Sequence, residues 1–281
     1  MLRMTLGYDG TNYCGWQVQP NGVSLQAVVE KALLEFTGET TRVVASGRTD
    51  AGVHAVGQVI SFPTRCTAPC RGFLHGLPVH LPDDIVVKTV DEVASGFNAR
   101  FDARRKWYRY VFHNAPIRIP FLRHYAFWQR SRLNDAAMDQ AVKVLVGTHD
   151  FRCFETQWPN RSSSVRTIFD ARVIRTSGWS VWNEGAGPPL IAMTGHGEIK
   201  SFEATASSPG DCDFICFDIE ADGFLYNMVR AIAGTLIHIG RGRWTSDDMR
   251  RILETGDRTH AGETAPPQGL YLMRVTYDPN A

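Results

Sequence analysis

The sequence of 281 residues predicts an α+β fold, in which helices pack on mostly antiparallel strands. Three observations support this prediction. Short segments in both halves of the chain alternate between apolar and polar residues, as strands do. Other segments carry apolar residues at helical spacing. A content of 43% hydrophobic and 21% charged residues is typical of a soluble globular protein with a real core.

The first helix is predicted over residues 24–37. Its apolar face consists of Leu25, Val28, Val29, Ala32, Leu33 and Phe36. Ser24 is the expected N-cap, and Gly38 is expected to end the helix. Strands are predicted in this part of the chain at residues 2–8, 41–46, 84–90 and 107–113.

Two prolines between residues 114 and 120 interrupt the pattern, so we predict a division into halves 1–114 and 115–281. The second half repeats the mixture of elements. Helices are predicted at residues 134–147, at residues 225–239 and just after the capping pair Thr245/Asp248. Strands are predicted near residues 123–129 and at residues 171–175, 214–220 and 270–277.

Residues from about 176 to 211 are rich in glycine, serine and proline. A segment of this length without regular structure is uncommon inside a compact domain, and it is usually functional or disordered. We interpret it as a surface insertion between two paired strands.

The charge of the chain is sorted into local clusters, although the net charge is only +1. One cluster contains Arg100, Arg104, Arg105, Lys106 and Arg109, and a second contains Arg241, Arg243, Arg250 and Arg251. Such clusters are compatible with an anionic partner on one face of the protein. Charge alone favours the simpler interpretation of a solvated surface.

The N-terminal residues LRMTLGYDG lack the basic and apolar regions of a secretory signal, and no segment approaches the roughly 20 apolar residues of a membrane-spanning helix. We therefore expect a cytoplasmic protein, without membrane contact, whose six cysteines are reduced. Cys66/Cys70 and Cys212/Cys216 share a C-x3-C spacing that could suggest zinc. Common structural zinc sites prefer other spacings, so no metal is predicted.

Asp50 is the first candidate catalytic residue, and it lies in the segment Gly47-Arg48-Thr49-Asp50-Ala51-Gly52-Val53-His54. Glycines on both sides permit a tight turn, so the carboxylate can project into a cleft. Arg48 can hold that carboxylate ionised and oriented, or it can bind a phosphate. By itself, a short Arg-x-Asp motif in a glycine turn is more often structural than catalytic.

The second candidate element is Lys106-Trp107-Tyr108-Arg109-Tyr110, in which aromatic and basic residues alternate. Bases stack on aromatic rings and cations meet phosphates, so the pattern suits RNA. Strand alternation places Tyr108 and Tyr110 on the same side. An ordinary strand with an aromatic core face and a cationic solvated face explains the pattern slightly better when it is taken alone.

The third candidate element is the helix that begins near Gly223-Phe224-Leu225-Tyr226-Asn227-Met228-Val229-Arg230. Arg230 enters an otherwise apolar helix, which is costly for a buried charge unless it is paired. Asp50 or a phosphate would be a natural partner. The alternative is a surface arginine whose head group extends into solvent.

These three elements, in this order, resemble the TruA-type tRNA pseudouridine synthase family, and the resemblance covers nearly the whole chain. Besides the three segments already quoted, it rests on Tyr8-Asp9-Gly10-Thr11-x-Tyr13-x-Gly15-Trp16-Gln17, Phe97-Asn98-Ala99-Arg100-Phe101, Gly147-Thr148-His149-Asp150-Phe151, Val165-Arg166-Thr167-Ile168, Gly240-Arg241-Gly242-Arg243 and Ala265-Pro266-Pro267-x-Gly269-Leu270-Tyr271-Leu272. So many ordered segments make the Asp50 motif highly specific.

The resemblance implies a role for each candidate residue. Asp50 matches the family's catalytic aspartate, which forms a covalent adduct, and Arg48 and Arg230 match arginines that orient the aspartate and the RNA backbone. Tyr108 matches the tyrosine that packs on the uracil, with Tyr110 as the alternative. The remaining expected substrate-binding residues are Leu270, which closes the other side of the base, and Arg241.

The resemblance further implies two ferredoxin-like halves that share a central sheet, and a homodimer that binds tRNA. The expected substrates are uridines of the anticodon stem-loop, at positions 38–40. Isomerisation of uridine adds and removes nothing, so neither a redox cofactor nor a metal is expected. The insertion at about 176–211 departs from the compact bacterial pattern. A competing hypothesis, an RNA-binding module without catalysis, is opposed by the presence of every matched catalytic position.

Overall fold

A computed structural model describes residues 1–20, 22–156, 163–177 and 213–278. The predicted insertion at about 176–211, apart from its first two residues, lies outside the described residues, and so does Cys212. The strands are β1 (Leu2–Tyr8), β2 (Val44–Ala45), β3 (His54–Phe62), β4 (Ile85–Glu92), β5 (Arg105–His113), β6 (Phe127–Trp128), β7 (Gly147–Asp150), β8 (Val165–Thr176), β9 (Phe214–Ala221) and β10 (Leu270–Thr276). The helices are α1 (Leu25–Thr37), α2 (Cys70–Gly76), α3 (Asp135–Val142), α4 (Met228–Gly240) and α5 (Ser246–Thr255).

All ten strands of the described residues belong to one sheet with the main order β4-β1-β3-β10-β5-β9-β8-β7. The short strands β2 and β6 pair with β3 and β5. The pairs β3–β10 and β5–β6 are parallel, and every other pair is antiparallel. The α+β class and the mostly antiparallel sheet predicted from the sequence are therefore confirmed.

The sheet contains the same topology twice. The elements β1, α1, β2, β3, α2 and β4 have the strand order β4-β1-β3-β2, and β5, α3, β8, β9, α4 and β10 have the equivalent order β10-β5-β9-β8. Each is a βαββαβ arrangement of the ferredoxin-like type, as expected. Topologically, β5 belongs with the second repeat. The division at residues 114/115 stays a prediction about folding units.

The two repeats meet where β3 lies parallel to β10, with Tyr271 opposite His54. Residues from all five helices pack into one large core on one face of the sheet. A smaller core on the other face contains alternate residues of β5, among them Trp107 and Val111. Tyr108 and Tyr110 belong to the large core, so the predicted alternation of β5 is confirmed.

The helix termini follow local sequence rules. Ser24 caps α1 by accepting the backbone N–H of Ala27, and Gly38 ends the helix with a left-handed φ of 74°. Thr245 and Asp248 form the predicted reciprocal capping box of α5. These predictions are confirmed because caps depend on neighbouring residues only.

Other elements differ from the predictions. Helix α3 ends at Val142, and the extended strand β7 begins five residues later, within the span predicted as helix. Strand β3 was not predicted, because nearly all of its residues are buried and it therefore lacks the alternation of a half-buried strand. A Cβ atom at Gly57 would lie 2.5 Å from the carbonyl oxygen of Met273. The glycine is therefore explained by close contact with β10, which a local pattern does not reveal.

Candidate active site

The Asp50 turn connects β2 to β3 at the seam between the two repeats. The Asp50 carbonyl closes the turn by accepting the N–H of Val53 at 3.1 Å, and the Thr49 carbonyl accepts the N–H of Trp16 at 3.0 Å. Gly15 has a φ of 106°, and a Cβ atom there would lie 2.8 Å from the Thr49 oxygen. The residue beside the turn must therefore be a glycine.

Buried side chains also form hydrogen bonds with the Asp50 turn. Gln58 on β3 donates to the Gly47 carbonyl at 2.9 Å and accepts a hydrogen bond from the Ser46 hydroxyl at 2.6 Å. The hydroxyls of Tyr8 and Thr49 are 2.8 Å apart. Because the turn is bonded at both ends, Asp50 has a defined position before any substrate binds.

Arg230, at the start of α4, contacts the Asp50 carboxylate. Its Nη1 lies 3.2 Å from Asp50 Oδ2, and its Nε donates to the Ala265 carbonyl at 2.7 Å. Nη1 also donates to Asn227 Oδ1 at 2.8 Å. The contact between Arg230 and Asp50, which the sequence suggested across 180 positions, is present in the structure.

The surroundings of Asp50 act on its pKa in opposite directions. Burial raises the pKa, and the positive charge of Arg230 lowers it, with burial as the larger effect. Among the described residues, Arg230 is the only side chain that hydrogen-bonds to Asp50. The second oxygen of the carboxylate therefore accepts no hydrogen bond from the described part of the chain.

Tyr108 points to the face of the sheet that carries the large core. Burial raises the pKa of its hydroxyl, and Tyr8 and Asp50 raise it further. Its ring meets Phe224 edge to face, with centroids 5.0 Å apart. The hydroxyl makes no hydrogen bond to a described residue, so Tyr108 can pack on a ligand without losing a hydrogen bond.

Tyr110 has a different environment, although it points to the same face. It is fully buried, and its hydroxyl donates to the Pro266 carbonyl at 2.7 Å. A Cβ atom at Gly269 would lie 2.7 Å from the Tyr110 ring, so the two are in tight contact. The structure thus gives Tyr110 a packing role beneath Leu270, which lies opposite it in the β5–β10 register. Leu270 is 6% exposed.

An ionisable carboxylate next to one arginine, an aromatic ring and an apolar strand end can form a covalent adduct with a planar base. Comparisons with known proteins identify the family. A model of the tRNA pseudouridine synthase family matches residues 5–102 and 141–278. The chain belongs to the tRNA pseudouridine synthase family.

Similar members of this family are bacterial proteins of the same length. A protein named tRNA pseudouridine synthase A from Thermoanaerobacter sp. (strain X514) is 40% identical over 276 residues, which is 98% of this chain and 99% of that protein. A protein of the same name from Exiguobacterium sp. (strain ATCC BAA-1283 / AT1b) is 40% identical over 277 residues, 99% of this chain and 98% of that one. The resemblance inferred from ordered motifs is confirmed.

Two of the arginines predicted for the tRNA pseudouridine synthase site do not contact Asp50. Arg48 is exposed and makes no hydrogen bond or ion pair with the described part of the chain. Arg241 is exposed at the far end of α4, about 16 Å from Arg230 by the helical rise. It donates to Gln129 Oε1 at 2.8 Å. Both remain available for contact with an anionic ligand.

Two further polar residues, Lys106 and Asn227, contact the Asp50 turn or its partner Arg230, which the sequence did not predict. Lys106 donates to the Ser46 carbonyl at 2.6 Å, at the start of the Asp50 turn. Burial, together with Arg100 and Arg166, lowers its pKa to about 8. Asn227 hydrogen-bonds to Arg230. Both residues lie inside family motifs, but their contacts depend on chain segments far away in sequence.

The described residues contain no group of three or more His, Cys, Asp or Glu side chains that could hold a metal ion. Cys66, Cys70 and Cys216 are free thiols, and Cys212 lies outside the described residues. None of the helices described is long and apolar enough to cross a membrane.

Proposed function

We propose that this protein converts uridines of tRNA to pseudouridine, with Asp50 as the nucleophile. The observation that carries the proposal is the Asp50 carboxylate, which pairs with Arg230 through one oxygen and lies in the turn between β2 and β3. In the reaction, the N1–C1′ bond of uridine breaks and a C5–C1′ bond forms. A proton leaves C5, and N1 gains one, so the atoms balance without a redox cofactor or a metal.

In the proposed mechanism, ionised Asp50 attacks either the ribose C1′ or the uracil C6 and forms a covalent adduct. Arg230 holds the carboxylate ionised and oriented. Tyr108 and Leu270 enclose the uracil while it rotates, because a detached base must not escape. The target uridine has to leave its stack to reach this pocket.

The expected substrate positions are 38–40 of the anticodon stem-loop, which we propose from the resemblance to the family. Exposed arginines, among them Arg48 and Arg241, support binding of the RNA backbone. We also propose that the enzyme works in the cytoplasm, because its proposed substrate is tRNA.

We also propose a homodimer. Ile117 and Phe121 are each 81% exposed, and exposed apolar side chains of this size support an interface between two copies. Within each copy we propose two folding units, residues 1–114 and 115–281. The family model supports a division, since its two matched segments are separated by residues 103–140.

The proposed function is tested with tRNA that carries tritium at C5 of uridine, because pseudouridine formation releases that hydrogen. Asp50→Asn should release no tritium above background. It should bind tRNA within about threefold of the wild type, since phosphate contacts dominate the affinity. The matched control is Asp247→Asn, at a carboxylate that is 84% exposed on α5, and it should be fully active.

Chemical mapping of pseudouridine in the same tRNA tests positions 38–40. Normal tritium release by Asp50→Asn would refute the mechanism. Tight tRNA binding by a wild-type protein that releases no tritium would favour the RNA-binding module without catalysis.

A further inference from the structure

Asn227 has an unusual backbone conformation for the residue before a helix. Its φ is 63°, and it is the only non-glycine residue with a positive φ in the described part of the chain. A residue at this position usually has an extended backbone, and its side chain accepts a backbone N–H of the helix. Asn227 makes no such capping bond to α4. The left-handed conformation costs free energy, and no side-chain capping bond to α4 compensates for that cost.

The Asn227 side chain instead bonds to Arg230. Its Oδ1 accepts from Arg230 Nη1 at 2.8 Å, and this same nitrogen lies 3.2 Å from Asp50 Oδ2. Its Nδ2 donates to Thr156 Oγ1 at 2.9 Å, which fixes the orientation of the amide group. One continuous series of hydrogen bonds therefore links Thr156, Asn227, Arg230 and Asp50.

This series of hydrogen bonds suits an uncharged acceptor at residue 227. The Arg230 nitrogen has two hydrogens, one for Asn227 and one for Asp50. An amide oxygen binds the first hydrogen without a negative charge, so it does not compete with Asp50 for the guanidinium. The Ala265 carbonyl, bonded to Arg230 Nε, provides the remaining anchor.

We infer that Asn227 is a positioning residue, whose strained backbone and amide oxygen direct the Arg230 guanidinium onto the Asp50 carboxylate. The inference rests on the proposed function. It adds a residue that acts through Arg230, to which its side chain is bonded.

The test uses two substitutions of Asn227 in the full-length protein. Asn227→Gly removes the amide but favours the left-handed backbone, so the melting temperature should not fall appreciably. Its kcat in the tritium assay should fall about 10- to 100-fold, as expected for loss of a hydrogen bond to a charged group, while KM for tRNA stays the same. Asn227→Asp introduces a competing carboxylate, which should move the acidic limb of the pH–activity profile to higher pH.

Two further variants complete the test, and the first of them, Asn134→Gly, is the control. Asn134, the N-cap of α3, has an ordinary φ of −83° and bonds to the N–H of Ala137. Asn134→Gly should therefore leave kcat and the acidic limb unchanged. Thr156→Val removes the second anchor without changing the backbone at residue 227, and it should lower kcat in the same way but less.

The outcomes separate this inference from the proposed function. A wild type that releases no tritium overturns both. An active wild type, with Asn227→Gly and Thr156→Val as active as it is, overturns the positioning role alone. If the losses of activity only follow losses of folded protein, and the acidic limb of Asn227→Asp does not move, the role of Asn227 is merely structural and the inference is wrong.

Discussion

Replacing Arg230 by methionine is the most direct test of how the protein controls Asp50. Methionine fills much of the same volume, but it lacks the positive charge and the hydrogen bonds to Asp50, Asn227 and the Ala265 carbonyl. Asp50 would then be a partly buried carboxylate without a counter-charge.

The size of the effect follows from the geometry of the pair. Two unit charges separated by 3.2 Å attract by about 5 kcal/mol at an effective dielectric constant of about 20. The side chains of Arg230 and Asp50 are 15% and 25% exposed, so solvent screens part of this attraction. A hydrogen bond to a charged group contributes about 1.5–3 kcal/mol. A loss of about 3 kcal/mol in transition-state stabilisation corresponds to a fall in kcat of about 100-fold.

The pH dependence has a defined sign. The nucleophile must be ionised, burial raises the pKa of Asp50, and Arg230 opposes this increase. Without Arg230 the pKa of Asp50 rises further. As the pH is lowered, the variant therefore loses activity at a higher pH than the wild type does. The acidic limb of its pH–activity profile should therefore move to higher pH.

The assay is tritium release under single-turnover conditions from about pH 5.5 to about 9, with circular dichroism to confirm folding. Arg230→Lys is the matched control, since it keeps the charge but has no Nε to hold the Ala265 carbonyl. Its acidic limb should stay near that of the wild type, with an intermediate kcat. The reasoning is refuted if Arg230→Met keeps kcat within about twofold and its acidic limb does not move.

Two further predictions concern stability. Asp218→Asn leaves the buried Arg109 guanidinium, bonded to Asp218 at 2.7 and 2.8 Å, without its counter-charge. The substitution should lower the free energy of unfolding by about 3–5 kcal/mol and the melting temperature by roughly 10 °C. Activity per folded molecule should be normal. A melting temperature like that of the wild type would contradict this prediction. Burial lowers the pKa of Lys106 from 10.5 to about 8, so the folded state binds fewer protons than the unfolded state between these values. The melting temperature of the wild type should therefore rise relative to that of Lys106→Met as pH increases from about 8 to 10.5, and a constant difference between pH 7 and pH 10 would exclude a buried, titrating ammonium.

Features that depend on neighbouring residues were predictable from the sequence. The ends of α1 follow from Ser24 and Gly38, because capping bonds span only three or four residues. The alternation of β5 correctly placed Tyr108 and Tyr110 on one face. Ordered motifs along the chain also identified the family and singled out Asp50 among the acidic residues.

Strand β3 and the boundaries of α3 could not be read from local patterns. Gly57 resembles a chain break in the sequence, yet it lies within β3 where β10 approaches closely. A pattern records the preferences of a residue, whereas contact with a strand more than 200 positions away decides whether that residue lies in a sheet.

The contacts of Asp50 show the same division within the site. By itself the sequence determined a carboxylate in a glycine-flanked turn and two arginines that could form an ion pair with it. Only the tertiary structure decided that distant Arg230, and not adjacent Arg48, bonds to Asp50, and that Asn227 bonds to the same nitrogen of Arg230. The physical reason is that proximity along the chain does not set the direction of a side chain. Packing of α4 against α3 and β5 brings charges separated by 180 positions within hydrogen-bonding distance.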